Sequence, residues 1–213
     1  MTDKIKIYTD GSCLGNPGQG GYAAVLKHNG KEKEIYAGYR HTTNNRMEFL
    51  AAIEALKTIK KKEIQIELYT DSNLLTQTIE KGWLKSWKSR GWKKADKKAP
   101  ENLDLLKQLD EVIKDLKVKF IWIKAHNGHL ENERCDELAK MAAYSPEFVD
   151  EEYEKISGFI PKDTETKIKK ESKTKKDKTT FELSGNNLII IKDNQEIVLT
   201  KAEITKLTKL LNK

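Results

Sequence analysis

The sequence predicts an α/β protein in which helices pack on the faces of one mixed β-sheet. Two observations on the 213-residue chain indicate this fold. Strand patterns joined by hairpin signals come first, and strands then alternate with amphipathic helices. Hairpins join antiparallel strands and helical crossovers join parallel ones, so the sheet is expected to contain both arrangements.

The first three strands follow from residue alternation and one turn signal. In KIKIYTD, residues 4–10, apolar residues alternate with polar ones, which is typical of a strand. The stretch GYAAVLKHNGKEKEIYAGYRH, residues 21–41, predicts two more strands joined at Asn29–Gly30, because this dipeptide suits a tight hairpin turn.

The rest of the main domain alternates strands with helices. Apolar, β-branched runs predict strands over residues 64–72 and 117–126. Apolar residues at three- and four-residue spacing predict helices over residues 45–62, 73–83, 101–116 and 132–145.

Changes of composition predict three regions. Residues 1–145 are expected to form the main domain. Residues 146–180 are acidic and then lysine-rich, and they are expected to form a linker because they cannot bury a core. Residues 181–213 are expected to form a small strand–strand–helix module, in which Thr200 and Glu203 make a capping box for the helix. The role of this module stays open.

The composition favours a polyanionic partner. Basic residues outnumber acidic ones, 40 to 33, and the net charge is +7. Such an excess biases a protein towards nucleic acid or an anionic membrane surface. No apolar run is long enough to span a bilayer and no signal peptide is evident, so no membrane association is expected. Cys13 and Cys135 are interpreted as free thiols in a reducing compartment, which predicts a cytoplasmic protein.

Four acidic residues are candidate metal ligands. Asp10 and Asp71 each end a predicted strand, while Glu48 and Asp136 lie in the first turns of predicted helices. Clustered carboxylates at strand ends would repel one another unless cations held them. Mg²⁺ suits such oxygen ligands, and two ions can promote an in-line displacement at phosphorus. Taken singly, each residue is equally compatible with a turn former or a helix cap.

Four separated segments carry a family resemblance. They are YTDGSCLGNPGQGG, HTTNNRME, YTDS and KAHNGHLENERCDELA, which begin at residues 8, 41, 69 and 124. In this order and spacing they resemble the signature segments of bacterial-type ribonuclease H, type I, over residues 4–145. The resemblance implies a ribonuclease-H-like mixed five-stranded sheet flanked by helices. It also implies an endonuclease that cleaves the RNA strand of RNA–DNA hybrids with Mg²⁺ or Mn²⁺, leaving 3′-hydroxyl and 5′-phosphate ends.

The resemblance further implies roles for catalytic residues. Two Mg²⁺ ions would be held by the four candidate carboxylates, Asp10, Glu48, Asp71 and Asp136. His126 matches a mobile histidine that assists proton transfer or product departure, a role suited to a group that titrates near neutrality. Glu133 matches an acidic residue that helps to release product.

The substrate-facing residues are expected to contact backbones and sugars, because a nuclease that ignores sequence does not read base edges. By resemblance, backbone amides approach the RNA strand at Gly11, Ser12 and Cys13. Side chains expected on the minor-groove side are Asn16, Asn44 and Asn45, while Asn73, in place of a glutamine in relatives, is expected to face the RNA strand. Thr43 together with Asn16 is expected to bind a phosphate of the DNA strand.

A basic and aromatic stretch, residues 81–100, is a second candidate substrate contact. It resembles the basic handle of the bacterial enzymes, which lies across the DNA strand. The residues assigned to this contact are Trp83, Lys85, Trp87, Lys88, Arg90, Trp92 and Lys93. The alternative interpretation is a solvated lysine face whose tryptophans pack in the core.

Two alternative functions remain open at the level of sequence. The first is a non-catalytic nucleic-acid-binding module of the same fold, which would not need all four carboxylates and the histidine. The second is a related nuclease, such as a Holliday-junction resolvase or an integrase, which would lack the TTNNRME and NERCDELA segments and the handle. The expectation is therefore a hybrid-cleaving enzyme that acts as a monomer.

Overall fold

A computed structural model describes residues 3–60, 62–125, 127–161, 179–184, 187–192 and 195–211. The chain divides into two compact units, Met1–Phe159 and Ile160–Lys213. No helix among these described residues is long and apolar enough to cross a bilayer.

The first unit is built on a five-stranded mixed sheet, as the sequence predicts. Its strands are β1 (Lys4–Leu14), β2 (Gly18–His28), β3 (Lys31–Thr42), β4 (Gln65–Thr70) and β5 (Lys117–Trp122). Their order across the sheet is β3-β2-β1-β4-β5. The β1–β2 and β2–β3 pairs are antiparallel, whereas β4 pairs in parallel with both β1 and β5. The mixed sheet that the sequence predicts is therefore confirmed.

The predicted hairpin turn lies between β2 and β3. Asn29 has a φ of 50° and Gly30 a φ of 73°. A two-residue type I′ turn needs positive φ at both central positions, which asparagine and glycine tolerate best. The turn signal read from the sequence is therefore confirmed.

Among the described residues of the first unit, six helices accompany this sheet. They are α1 (Asn44–Lys57), α2 (Asn73–Glu80), α3 (Trp83–Ser89), α4 (Leu103–Ile113), α5 (Leu130–Tyr144) and α6 (Glu151–Ser157). Four of them match predicted helices, α1, α2, α4 and α5. The expected helix after residue 73 ends at Glu80, and a separate short helix, α3, carries the basic stretch.

The two faces of the sheet bury different helices. On one face, α1 lies between the sheet and α4, and its side chains are buried almost throughout from Arg46 to Leu56. On the other face, α5 packs its Cys135, Leu138 and Ala139 against β1 and β2. Each face thereby fixes one helix that carries a candidate ligand, Glu48 on α1 and Asp136 on α5.

The close packing of α5 on the sheet depends on a small residue in β2. A Cβ atom at Gly21 would collide with the carbonyl oxygen of Ala139 and lie 2.7 Å from the backbone nitrogen of Ala143. Only glycine leaves room for the helix backbone at this distance, so Gly21 sets the height of α5 above the sheet.

The structure moves the expected domain boundary at residue 145. Phe148 exchanges backbone hydrogen bonds with the edge strand β3, donating to the Gly38 carbonyl at 2.9 Å and accepting from the Arg40 amide at 3.1 Å. Arg40 also donates to both carboxylate oxygens of Glu154, at 2.8 and 2.7 Å. The first part of the predicted linker is therefore packed on the main domain. Backbone hydrogen bonds, ion pairs and ring contacts hold the segment, with the Phe159 ring stacked on His41 at 3.9 Å, and its acidic composition does not reveal such contacts.

The second unit contains one strand more than the expected strand–strand–helix module. It comprises β6 (Thr179–Ser184), β7 (Asn187–Lys192), β8 (Gln195–Leu199) and a helix, α7 (Lys201–Leu211). The three strands form an antiparallel sheet in the order β6-β7-β8. The extra strand begins in the threonines that end the lysine-rich stretch, whose polar composition resembles a linker.

One of the two interactions of the predicted capping box is present at the start of α7, namely the bond from the glutamate side chain back to the cap residue. The Glu203 side chain accepts hydrogen bonds from the Thr200 amide at 2.9 Å and from the Thr200 hydroxyl at 2.7 Å. A glutamate that reaches back to the cap residue satisfies an otherwise unpaired donor at the helix start.

Candidate active site

Two of the candidate carboxylates are brought together by one pair of parallel strands. In the register of β1 with β4, Thr9 lies beside Thr70, so Asp10 and Asp71 occupy adjacent positions where the pair ends. The indole Nε1 of Trp122, at the end of β5, donates to the main-chain carbonyl of Asp71 at 3.1 Å. The repeated Tyr-Thr-Asp segments thus lie side by side, as the sequence predicts. Asp10 does not end its strand, however, because β1 continues to Leu14 and stays paired with β2.

The third carboxylate, Glu48, comes from α1. A Cβ atom at Gly11 would collide with the Glu48 backbone nitrogen and lie 2.7 Å from the Met47 carbonyl carbon. Glycine at this position therefore lets α1 lie directly on β1 beside Asp10. Gly11 was expected to bring its amide to the RNA strand, but this amide donates to Asp10 Oδ1 at 2.8 Å.

The three carboxylates form a compact cluster in which Asp10 and Glu48 are buried and Asp71 is half-buried. One oxygen from each of Asp10, Glu48 and Asp71 lies within 4.8 Å of the other two. Asp10 and Glu48 are each only 7% exposed. Burial, and after it the charges of Asp71 and Asp136, raises the pKa of Asp10 to about 8. Burial, followed by Asp10 and Asp71, raises the pKa of Glu48 well above its ordinary value.

The cluster fits a hard divalent cation. Glu48 Oε2 is buried and has no hydrogen-bond partner among the described residues. Its other oxygen accepts only a long bond from the Asn44 amide group, at 3.4 Å. A buried carboxylate oxygen without a donor is costly, and an oxygen-preferring ion such as Mg²⁺, Mn²⁺ or Ca²⁺ removes that cost.

The fourth candidate, Asp136, lies beside the cluster but is engaged elsewhere. It belongs to α5, and its charge contributes to the raised pKa of Asp10. Its Oδ2 accepts a hydrogen bond from the Lys140 ammonium at 2.6 Å. Among the described residues, the group of oxygens within 4.8 Å of one another does not include Asp136.

Three of the expected substrate contacts form a linked polar group at the start of α1. The Asn16 side-chain oxygen accepts a hydrogen bond from the Asn44 amide at 3.1 Å. Thr43 caps the helix, and its hydroxyl accepts from the Arg46 amide at 3.4 Å. The helix start directs further backbone N–H groups towards this point, which favours an anion. The arrangement is compatible with the expected phosphate contact.

The other expected substrate contacts lie at accessible positions. Ser12 and Cys13 are partly exposed on β1, and Cys13 is a free thiol, as is the buried Cys135. Asn45 and Asn73 are exposed at the starts of α1 and α2.

The basic stretch, residues 81–100, has features of both interpretations, a substrate contact and a lysine face backed by packed tryptophans. Trp87 and Trp92 are partly buried against the main core, and the Trp83 and Trp87 rings lie 5.9 Å apart. Lys85 and Lys93 are exposed and have no ion pair among the described residues. The tryptophans are thus largely structural, while these lysines remain free to meet a phosphate backbone.

Two basic side chains of this stretch are engaged within the protein. Lys88 is paired with Asp110 of α4 at 2.6 Å. Arg90 donates to the Ser86 hydroxyl at 2.7 Å and to the Ser86 carbonyl at 3.1 Å. Their assignment as substrate contacts would require these bonds to be exchanged.

Comparison with known proteins identifies the family. Residues 2–144 match the family model described as RNase H. The chain belongs to the ribonuclease H family. The ribonucleases H of Escherichia coli O9:H4 (strain HS) and Shigella boydii serotype 18 (strain CDC 3083-94 / BS512) are each 51% identical to it over 154 residues. These residues are 72% of this chain and 98% of each relative.

Solved structures confirm the ribonuclease H fold. LC9-RNase H1, described as a type 1 RNase H with the type 2 active-site motif, superposes with a TM-score of 0.61 at 30% identity. That match covers 69% of this chain and 75% of the other. LC11-RNase H1, solved in complex with an RNA/DNA hybrid, gives a TM-score of 0.51 at 27% identity, covering 66% and 97% of the two chains.

Membership of the family decides between the alternatives left open by the sequence. This ribonuclease H is an endoribonuclease that hydrolyses the RNA strand of RNA–DNA hybrids, and it depends on a divalent metal ion. The interpretation as a non-catalytic binding module is therefore not supported. The clustered carboxylates of the first unit are where this ribonuclease H can hold the metal.

The two other expected catalytic residues are Glu133 and His126. Glu133 is exposed in the first turn of α5. His126 lies outside the described residues, in the segment between β5 and α5. Their roles therefore stay predictions.

Sequence reasoning missed two residues that bear on the site. Trp122 holds the main chain at Asp71, and Lys140 holds the side chain of Asp136. For Lys140 a signal was available, because an acidic residue four positions before a lysine on a helix indicates an ion pair. Nothing in the sequence distinguishes Trp122 from an ordinary strand residue.

Proposed function

We propose that this ribonuclease H cleaves its hybrid substrate with two Mg²⁺ ions held by Asp10, Glu48, Asp71 and Asp136. The observation that carries the proposal is the buried cluster of Asp10, Glu48 and Asp71, whose oxygens lie within 4.8 Å of one another. Asp136 completes the set after it exchanges its ammonium partner for an ion. Mg²⁺ is the preferred choice because it takes carboxylate oxygens and retains waters for reaction.

The protein contributes positioning and charge to the reaction. When bound, the two ions supply an activated water on one side of the phosphorus and stabilise the leaving oxygen on the other. The four carboxylates hold negative charge at fixed positions on the sheet edge and two helices, so the site needs little rearrangement during reaction. Hydrolysis leaves a 3′-hydroxyl and a 5′-phosphate.

His126 and Glu133 are assigned to proton transfer and product departure. Both lie between the end of β5 and the first turn of α5, close in sequence to Asp136. An imidazole that titrates near neutrality can accept a proton and release it within one turnover. We expect His126→Ala to slow turnover without abolishing it, because the carboxylates remain intact.

The DNA strand is proposed to bind at Asn16 and Thr43. The linkage of Asn16 to the start of α1 supports this assignment, since helix N–H groups and side-chain amides are donors suited to a phosphate. The RNA strand would then run past Ser12, Cys13 and Asn73, with Asn44 and Asn45 on the minor-groove side. Both strands can reach such a site through the wide minor groove of a hybrid.

The basic stretch around α3 is proposed to extend the contact along the DNA strand. Lys85 and Lys93 are its available cations, and Lys107 lies over the Trp92 ring at 5.9 Å. Contacts of this kind depend on counterion release, so hybrid affinity should fall steeply with salt.

A comparison of substrates tests the proposal. Hybrid, double-stranded RNA and double-stranded DNA of one sequence, each labelled separately on the two strands, are incubated with the full chain and Mg²⁺. We expect cleavage of the RNA strand of the hybrid alone, with 3′-hydroxyl ends. Comparable cleavage of double-stranded RNA would contradict the assigned substrate. Omission of Mg²⁺, and its replacement by Mn²⁺ or Ca²⁺, tests the choice of ion.

The boundaries and assembly state are also proposals. We assign catalysis to the first unit, and we propose that the enzyme acts as a monomer, since one chain carries all four carboxylates. Light scattering of the full chain, alone and with hybrid, measures the assembly state. Deletion of residues 162–213 followed by hybrid-binding measurements across salt tests whether the second unit contributes to substrate affinity.

A further inference from the structure

A lysine lies at the candidate metal site and holds one of its ligands. Lys140 is one helical turn beyond Asp136 on α5, and its Nζ lies 2.6 Å from Asp136 Oδ2. The Asp136 side chain is 23% exposed and the Lys140 side chain 51%. The ammonium group therefore reaches the rim of the site from solvent, along a flexible stem that can also swing away.

The charge of Lys140 acts on more than one carboxylate. Its ammonium group donates to Asp136 and is attracted by the charge of Asp10 as well, the hydrogen bond to Asp136 being the stronger interaction. In return, Lys140 partly offsets the effect of burial and neighbouring charge on Asp10. One ammonium group thus supplies part of the positive charge that a cluster of buried carboxylates lacks in the absence of metal.

The position of this ammonium group conflicts with that of a bound ion. Oxygen ligands of Mg²⁺ lie about 2.1 Å from the metal. An ion that coordinates Asp136 would therefore lie close to the atoms that Lys140 contacts at 2.6 Å, with two positive charges sharing one carboxylate. Either the ammonium leaves or the ion binds against its repulsion, and in both cases affinity for the ion is lower than the carboxylates alone would give.

We propose that Lys140 is the internal counter-ion of the metal site, which occupies Asp136 in the metal-free enzyme and weakens the binding of the divalent ion. The inference rests on the proposed assignment of Asp136 as a metal ligand. Lys140 acts through Asp136 and is a positioning residue. If Lys140 weakens ion binding, the substrate-free enzyme binds Mg²⁺ only at high Mg²⁺ concentration. Substrate phosphate oxygens add ligands for the ion and therefore promote its binding.

The test compares Mg²⁺ binding by variants of the full-length chain. Lys140→Gln removes the charge but keeps a polar, hydrogen-bonding side chain, and Lys140→Arg keeps the charge. Lys62→Gln is a matched control, because it removes a lysine from another exposed ion pair, with Asp115 at 2.6 Å. Lys62 precedes β4 whereas Asp71 follows it, which separates the control from the site by about 20 Å.

Calorimetric titration with Mg²⁺ gives the dissociation constant without any activity measurement. We expect Lys140→Gln to bind Mg²⁺ about three- to tenfold more tightly than the wild type. Lys140→Arg and Lys62→Gln should stay within about twofold of the wild type. Thermal unfolding should show Lys140→Gln less stable than the wild type without Mg²⁺, with the difference reduced or reversed at saturating Mg²⁺.

The possible outcomes separate this inference from the proposed metal site. Unchanged or weaker Mg²⁺ binding by Lys140→Gln overturns the inference, and an equal loss of melting temperature with and without Mg²⁺ would show a purely structural lysine. If the wild type binds Mg²⁺ and Asp10→Asn does not, the metal site stands whichever result Lys140 gives. If the wild type and Asp10→Asn bind Mg²⁺ equally, the metal site itself is wrong and the inference falls with it.

Discussion

Arg46 donates two hydrogen bonds to Asp150, from Nε at 2.6 Å and from Nη2 at 2.8 Å. The same guanidinium donates two more to Asp104, at 2.9 and 2.6 Å, and its side chain is only 2% exposed. One buried cation on α1 therefore ties together the start of α4 and the residue that caps α6. The helix that carries Glu48 is held at its first turns by this ion-pair group.

Loss of Asp150 should strongly destabilise the first unit. Asp150→Ala leaves part of the buried Arg46 charge unpaired and removes the acceptor of the Thr42 hydroxyl at 2.6 Å, which predicts a loss of about 3–5 kcal/mol in the free energy of unfolding. Urea unfolding measures this change. Glu152→Ala is the control, since its pair with Lys155 lies at the surface and should be worth about 0.5 kcal/mol or less. Equal losses in the two variants would contradict the account.

Gly21→Ala should loosen α5 and lower activity together. The added methyl group meets the helix backbone at Ala139, which cannot move without moving the whole helix, and about 2 kcal/mol or more of stability should be lost. Turnover should fall as well, because α5 carries Asp136. At Gly30, in the turn between β2 and β3, a Cβ atom meets nothing within 4 Å, although φ is 73°, so Gly30→Ala should cost about 1 kcal/mol without affecting turnover. Equal turnover in the two variants would show that the position of α5 does not affect catalysis.

Mg²⁺ binding should depend on pH near neutrality. The pKa of Asp10 is raised to about 8 and that of Glu48 is raised too, and an ion binds the carboxylate forms, so Mg²⁺ affinity should increase as pH rises from about 6 to 8.5. Titration calorimetry in two buffers of different ionisation enthalpy counts the protons released. Affinity independent of pH over this interval would show that the cluster is already ionised.

The metal-free protein should show the opposite trend in stability. A carboxyl group whose pKa is higher in the folded state contributes stability that is present below its unfolded pKa and is lost as pH rises through the folded value. Unfolding free energy without Mg²⁺ should therefore decrease between about pH 4 and pH 8, and Asp10→Asn should flatten this decrease. A wild-type stability that rose over the same interval would argue against the raised pKa of Asp10.

Neutralising the free lysines of the basic stretch should weaken hybrid binding in a salt-dependent way. Lys85→Gln and Lys93→Gln should each lower the slope of log affinity against log salt by about 1 if each lysine meets one phosphate. Lys62→Gln removes the same charge elsewhere and should leave the slope unchanged. Identical slopes for all three variants would exclude a direct contact by the stretch.

Much of the site could be predicted from the sequence because its signals are local. The repeated Tyr-Thr-Asp pattern placed Asp10 and Asp71 side by side, although β1 continues beyond Asp10, and helical periodicity placed Glu48 and Asp136 near helix starts. The resemblance to ribonuclease H then assigned these four residues to a single site.

The remainder depends on contacts between distant residues. Arg46 and Asp150 are 104 residues apart, so no local pattern could show that residues after 145 pack on the main domain. The role of Gly11 in seating α1 also needed the three-dimensional approach of the helix. Lys140 was overlooked for another reason, since lysines four residues after an acid are common on exposed helix faces.

The most direct test of the central claim is a single-turnover cleavage assay on the Asp10→Asn variant with hybrid binding measured on the same samples. The substitution removes a metal ligand while relieving repulsion within the buried cluster, so folding and hybrid affinity should be kept or improved. Cleavage of the RNA strand should fall by roughly 10³-fold or more, the scale of losing a principal electrostatic group. Cleavage near the wild-type rate, with Mg²⁺ binding retained, would contradict the assignment of this cluster as the catalytic metal site.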